Sequence, residues 1–385
     1  MYAMGKPEIE AVRKVIQSGQ LFRYRGGEGG WCDRFEADLA RHVGVKHAIT
    51  TSSGTAALIC GLVGLGVEPG DEVIVPAYTF MASALAPLAA GAIPVLAEID
   101  ESLTLDAADV ARKITRHTRA IMPVHMVGHP CDMNALARLA RRHKLDIIED
   151  ACQAVGGRYR GRSLGSLGKV GAFSFNHFKI ISCGEGGAVL TSDRRVHDRA
   201  MIHHDGGCSF RAHADRIGQP FFAGSNFRVS ELQGAILFEQ LRRLEGILAR
   251  LRARRAAMAA VMGAGSRFRL GPLHDEAGDC GTTLTLVFEN EREAVAFRDA
   301  KQRIVWMNRP IDTGRHVYTN WEPILARRGS HCDQLNPFRW ARRRIEYAKD
   351  MCPRSLEIMA RTLNVGVPFQ PTLPQVRAMA KELLK

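Results

Sequence analysis

Lys179 stands in "SFNHFKIISCGEGGAV", residues 174–189, among apolar and small neighbours. An amine partly stripped of water by Phe175, Phe178, Ile180 and Ile181 favours its neutral form, the one that attacks aldehydes to make a Schiff base. A lysine that lays its stem on apolar surface and keeps its head in water has the same local sequence, so Lys179 needs companions. Three stretches supply them. "SSGTAAL" leads small residues straight into a helical pattern, and a helix start with a hydroxyl beside it binds anions. Gly54 and Thr55 are therefore candidates to hold a phosphate, with Ser53 as an ordinary N-cap the plainer reading. Phe80, at the end of "DEVIVPAYTF", is placed to stack on a planar ring, with a core aromatic the plainer reading. "LDIIED" ends in Glu149 and Asp150, and a carboxylate at a buried strand end needs water or a cation such as a protonated pyridine nitrogen. Gln153, three residues beyond, is placed to bond a ring hydroxyl. Phosphate cradle, aromatic face, acid and amine together describe pyridoxal 5′-phosphate.

The elements that would position these residues alternate in type. "HAITTS", "DEVIVPA", "IPVLAEI", "RAIMPVHM" and "LDIIED" read as strands, separated by helical patterns such as "GTAALICGLVGLG" and "DMNALARLARRH". "VGAFSF" and "GGAVLTS" add two more strands. Such β-α units predict an α/β fold with a largely parallel sheet, whose ligands sit at the carboxyl ends of the strands. One long helix is expected from Val229 to about Met262. Beyond it, "TTLTLVFEN", "EREAVAFRDAKQ", "TLNVGVP" and "LPQVRAMAKELL" predict a smaller α+β domain. The expected division is a large domain at 1–246 and a small one at 247–385. "YRGGEGGWC", residues 24–32, is expected to be a loop.

The 385 residues are 46% hydrophobic and 24% charged, an ordinary globular balance. There is no apolar run long enough to span a membrane and no secretory pattern in "MYAMGKPEIEAVRKV". Nine scattered cysteines without a CxxC pair argue against a disulfide framework or a zinc site, and a cytoplasmic location is expected. The net charge of +13 is spread along helical faces such as "RLARRHK". No nucleic-acid-binding signature accompanies it, so neither a nucleic acid nor a membrane is expected as a partner.

The stretches "SSGTAAL", "GDEVIVPAYTF", "IEDACQAVGG", "FSFNHFKIISCGEGGAV" and "GSNFRVSELQGA" resemble the DegT/StrS sugar aminotransferases, and the likeness runs from "GKPEIEAVRKVIQSG" to "TLNVGV". The resemblance implies the pyridoxal-phosphate fold type I, with a mainly parallel seven-stranded sheet in the large domain. It implies Lys179 as the Schiff-base lysine, Asp150 at the ring nitrogen and Gln153 on the ring-hydroxyl side. Phe80 matches the stacking aromatic, and Gly54, Thr55 and Ser174 match the phosphate cradle. Asn226 matches an asparagine given to the neighbouring subunit's phosphate, so a homodimer with shared active sites is implied. The turn at Glu185, Gly186 and Gly187 is read as structural. The implied reaction moves an amino group from glutamate to a keto or aldehyde sugar. "FRYRGG", "IPVLAEIDESLTLD", "VHMVGHPCDMNALA" and "HVYTNWEPI" resemble the branch that acts on carbon 8 of the acidic sugar Kdo. Other members of the family aminate cyclitols or nucleotide-linked keto sugars, and some dehydrate sugars with a histidine in place of the lysine. A regulator with an added helix-turn-helix is the rival of another class, and no such segment is read before residue 45.

Three further residues are candidates for substrate contact. Arg228, two residues from Asn226, is suited to grip a carboxylate, or else bonds its own chain. His316 belongs to "RHVYTNWEP", where Tyr318, Asn320 and Trp321 add aromatic and polar groups that suit a sugar, although Trp321 also suits a core. Arg23, in "LFRYRGG" with Tyr24 and Arg25, would meet an anionic acceptor.

Overall fold

The computed structural model describes residues 4–24, 29–265 and 267–385. Its main sheet contains β1 His47–Thr51, β2 Glu72–Pro76, β3 Ile93–Ala97, β4 Thr118–Ile121 and β5 Asp146–Asp150. A small hairpin, β6 Arg158–Tyr159 and β7 Arg162–Ser163, precedes the last two strands of that sheet, β8 Val170–Ser174 and β9 Gly187–Thr191. The order across the sheet is β1-β9-β8-β5-β4-β2-β3. β9 runs antiparallel to β1 and β8, and the pairs from β8 to β3 are parallel. Every residue of β2, β3, β8 and β9 is buried, as in strands covered on both faces by crossover helices. All strands but β9 therefore end on one edge, where Thr51, Pro76, Asp150 and Ser174 lie.

The second sheet contains β10 Arg269–Leu270, β11 Thr283–Val287, β12 Met307–Asn308 and β13 Thr362–Gly366, all antiparallel in the order β10-β11-β13-β12. Helix Leu373–Leu384 packs on helix Leu244–Met262 beside it. The expected boundary near 247 falls inside this last helix.

The single helix expected from Val229 to Met262 is two helices, Glu231–Leu241 and Leu244–Met262. Between them the backbone tightens, and the Arg243 N–H bonds the Gln240 carbonyl at 3.1 Å. Both residues reach the buried Glu8 of helix Lys6–Ser18: Gln240 Nε2 donates to it at 2.8 Å, and Arg243 pairs with it. Helical periodicity alone does not show this long-range pull. Residues 25–28 of the expected glycine-rich loop, Arg25 among them, lie outside the described residues, and Trp31 and Cys32 already open helix Trp31–Val43.

Candidate active site

A cavity of about 750 Å³ opens at the carboxyl edge of the main sheet. Gly54, Thr55, Phe80, Asp150, Gln153, Ser174, Lys179 and His316 all line it. Residues up to 262 positions apart in sequence thus share one wall set, which is what the β-α topology is built to do.

One end of the cavity is a helix start. Ser53 caps helix Gly54–Leu65, its hydroxyl accepting the Ala56 N–H at 3.0 Å. Such a cap is worth about 1 kcal/mol and leaves the first amides of the helix without intrahelical acceptors. Gly54 is needed here because a Cβ would stand 2.8 Å from both Ser174 Cβ and Cys152 Sγ. The glycine lets the helix start close on Ser174, whose side chain completes a pocket of donors.

The same cavity holds the acid. Glu149 and Asp150 are adjacent in β5, so their side chains leave opposite faces. Glu149 is fully buried away from the cavity, where it accepts the N–H groups of Gly165, Leu167 and Gly168 at 2.9, 2.6 and 2.6 Å and meets His125 Nε2 at 3.1 Å. Asp150 is the acid of the pair that lines the cavity. Ser83 donates its hydroxyl to Asp150 Oδ2 at 2.6 Å, the Cys152 N–H binds Oδ1 at 3.1 Å, and Thr79 lies 2.7 Å behind Ser83. Nothing local in "TFMAS" points to this relay, and the sequence reading missed it. Gln153 Oε1 accepts the Val127 N–H at 3.1 Å, which turns the amide NH₂ toward the cavity.

Phe80 is 38% exposed and its ring lies 5.4 Å from that of His316. The two are brought together by backbone. The Thr79 N–H binds the His316 carbonyl at 2.9 Å, and the Met81 N–H binds that of Arg315 at 3.0 Å. Burial, and the charge of Lys179 nearby, hold His316 below the ordinary histidine range. Lys179 itself is half-buried, and its N–H caps the Asn176 carbonyl at 2.9 Å. Asn176 in turn donates to Glu185 at 2.9 Å, which ties the lysine loop to the turn after it. In that turn the left-handed residue is Gly184, at φ 92°. Gly187 serves close approach instead: a Cβ there would lie 2.3 Å from the Ser53 carbonyl oxygen.

Two of the expected substrate residues are elsewhere. Arg23 cannot meet an acceptor: its side chain is 1% exposed, with its guanidinium on Asp33 at 3.2 Å and Glu36 at 2.6 Å. Arg228 does not line its own chain's cavity, because Asp205 Oδ1 holds Nη1 at 2.5 Å. Asn226 also lies outside this cavity, where it accepts the Arg228 N–H at 3.3 Å. Trp321 is core, fully buried, with Nε1–H on the Arg315 carbonyl at 2.8 Å. Trp306 and Arg315, which the sequence reading passed over, line the cavity instead.

The residues fit pyridoxal 5′-phosphate on their chemistry. Helix-start amides and hydroxyls suit the phosphate, an acid with a fixed orientation suits a protonated ring nitrogen, and a lysine lines the same cavity. A sequence profile of the DegT/DnrJ/EryC1/StrS aminotransferase family matches residues 3–319. The dTDP-3-amino-3,4,6-trideoxy-alpha-D-glucose transaminase of Streptomyces venezuelae is 43% identical over 253 residues, 65% of this chain and 62% of that protein. The L-glutamine:2-deoxy-scyllo-inosose aminotransferase of Streptoalloteichus tenebrarius is 40% identical over 248 residues, 62% of this chain and 58% of that protein. The chain thus spans about three fifths of the length of these curated relatives. A crystal structure of S. venezuelae DesV with a reaction intermediate superposes over 98% of this chain and 94% of that one, at 31% identity and a TM-score of 0.79. The chain belongs to the DegT/DnrJ/EryC1/StrS aminotransferase family.

Proposed function

We propose that this protein transfers an amino group from an amino-acid donor, glutamate by preference, to the keto or aldehyde carbon of a sugar or cyclitol, with pyridoxal 5′-phosphate as cofactor. The observation that carries the reading is the convergence of Lys179, Asp150 and the Gly54–Ser174 helix start on one cavity. Gly54, Thr55 and Ser174 would hold the phosphate, Phe80 the ring face, Gln153 the ring hydroxyl and Asp150 the ring nitrogen. Bound there, the cofactor supplies an aldehyde and an electron-drawing ring. Lys179 Nζ would anchor the aldehyde and, once displaced by the donor's amine, take the proton from the donor's α-carbon. Asp150, oriented by Ser83, would keep the ring nitrogen protonated. His316 and Phe80 would shield one face of the reacting carbon from water.

Support for a sugar or cyclitol acceptor comes from relatives whose names carry such substrates. An acidic acceptor such as oxidised Kdo is the narrower reading, favoured by Arg315, which lines the cavity and has no ion pair among the described residues. The shared-site homodimer is part of the proposal. Phe178, beside Lys179, is 82% exposed, and Phe210 and Phe221, which precede Asn226 in the chain, are exposed; apolar rings so exposed suit a second copy. In such a dimer Asn226 would reach the partner's phosphate.

The test is spectroscopic. Protein loaded with pyridoxal 5′-phosphate should show a visible band that glutamate bleaches and a keto sugar restores. A band that ignores every amino donor would overturn the reading. For the dimer, mixing Lys179→Ala with Asn226→Ala protomers should return part of the activity that each variant lacks.

A further inference from the structure

We propose that Arg315 and Trp306 form a subsite for an acceptor ring that carries one anionic group, a carboxylate or a phosphate. The inference rests on the transaminase reading above and narrows its substrate class. Arg315 lines the cavity next to His316. Its backbone is pinned by two bonds to its carbonyl, from the Met81 N–H at 3.0 Å and from Trp321 Nε1–H at 2.8 Å. Its guanidinium, by contrast, has no hydrogen bond and no ion pair among the described residues. Several arginines of the same part of the chain are engaged, Arg309 with Asp312 and Glu291, Arg354 with Asp106, Arg361 with Glu101, whereas Arg303 and Arg327 are exposed without such a partner among the described residues. Of Arg303, Arg315 and Arg327, Arg315 is the one that lines the cavity. A planar fork of donors without a partner, in a concave site that also holds Lys179, favours a carboxylate or phosphate oxygen pair.

Trp306 supplies the second half of the subsite. It lies between the buried Val305 and Met307, and alternation along the chain leaves the indole 63% exposed at the cavity rim. Gly366 on β13 makes room for it, since a Cβ there would come within 2.9 Å of the ring. The indole is thus backed by strand β13. A broad aromatic face held this way is the surface on which the C–H face of a pyranose or cyclitol stacks. Cation and indole lining one cavity select a ring with a charge, which neither residue alone would do.

The experiment uses the loaded enzyme and follows its visible band with glutamate or glutamine as donor. D-Glucuronate, D-glucose 6-phosphate and D-glucose are added as inhibitors of that half-reaction, at millimolar concentrations. The wild type should be inhibited more strongly by the two anionic sugars than by glucose. Arg315→Gln should weaken inhibition by both anions about tenfold or more, the scale of a lost charge-assisted bond, and leave the donor's KM unchanged. Arg315→Lys should recover part of the loss, and Trp306→Ala should weaken the anionic sugars without abolishing their advantage over glucose. Comparison of the two anions shows whether carboxylate or phosphate fits better. No preference for the anionic sugars in the wild type would overturn the proposal. So would an Arg315→Gln variant whose donor KM rises while sugar inhibition stays the same, because Arg315 would then serve the donor. A wild-type band that no donor bleaches would bring down the transaminase reading itself, an outcome visible before any variant is made.

Discussion

The Ser83 hydroxyl donates to Asp150 Oδ2 at 2.6 Å from the first turn of helix Ala82–Ala89. It fixes the carboxylate that would meet the cofactor's ring nitrogen, and Thr79 fixes Ser83 in turn. A hydrogen bond to a charged group contributes about 1.5–3 kcal/mol. Ser83→Ala should therefore loosen pyridoxal 5′-phosphate about tenfold or more while the fold persists. Titration of the apoprotein with cofactor, followed by absorbance, gives the Kd. An unchanged Kd would mean that Asp150 needs no such support.

The two acids of β5 should part company on mutation. Glu149→Gln replaces one of two accepting oxygens by an NH₂, so at least one of the N–H groups of Gly165, Leu167 and Gly168 loses its acceptor and faces a donor, and each group left unsatisfied costs about 1–3 kcal/mol. It should lower the melting temperature sharply. Asp150→Asn should leave the melting temperature of the apoprotein nearly alone and cut turnover. Equal thermal losses in both variants would contradict the division of roles.

That division shows where the sequence was readable. The seven strands of the main sheet were legible because apolar runs covered on both faces stand out between helical patterns. Gly54 was legible as a helix start, Gln153 as a polar residue just past a strand end and Lys179 as an amine among apolar neighbours, whereas Ser174 came only from the family likeness. "LDIIED" left the choice between its two acids to a family likeness, since only the fold says which face of β5 meets the cavity. Ser83 was missed because its partner is 67 positions away. Trp306 carried a usable signal, alternation with Val305 and Met307, but which surface it joins is decided by the pairing of β12 and β13. Arg23 was misread for the same reason in reverse: Asp33 and Glu36 lie 10 and 13 positions on and reach it only across the start of the next helix.

Arg23 accordingly belongs to stability. Arg23→Ala would leave Glu36 buried without its cation, and breaking a buried pair from one side costs about 3–5 kcal/mol. The expected result is a large drop in melting temperature, with KM for donor and acceptor unchanged in whatever protein stays folded. A raised acceptor KM at an unaltered melting temperature would restore Arg23 to the substrate.

His204 makes the fold sensitive to acid. It is fully buried, with Nδ1–H on the Met201 carbonyl at 2.9 Å and Nε2 accepting the Tyr24 hydroxyl at 2.9 Å. Burial pushes its pKa down to about 3 from an ordinary 6.5. Below pH 6.5 the unfolded chain therefore takes up a proton that the folded chain refuses, so stability falls as pH drops from 6.5 toward 3. Melting temperatures across that range should decline, and His204→Gln should decline less steeply. Identical slopes would place the acid sensitivity in other groups.

The central claim is that Lys179 carries the cofactor, and the most direct measurement is chemical. Protein loaded with pyridoxal 5′-phosphate is treated with borohydride, digested, and its peptides are weighed by mass spectrometry. The account predicts the phosphopyridoxyl mass on the peptide that contains Lys179 and none on the Lys179→Ala protein. The same mass on another lysine, or no adduct on a protein that nevertheless turns over, would contradict it.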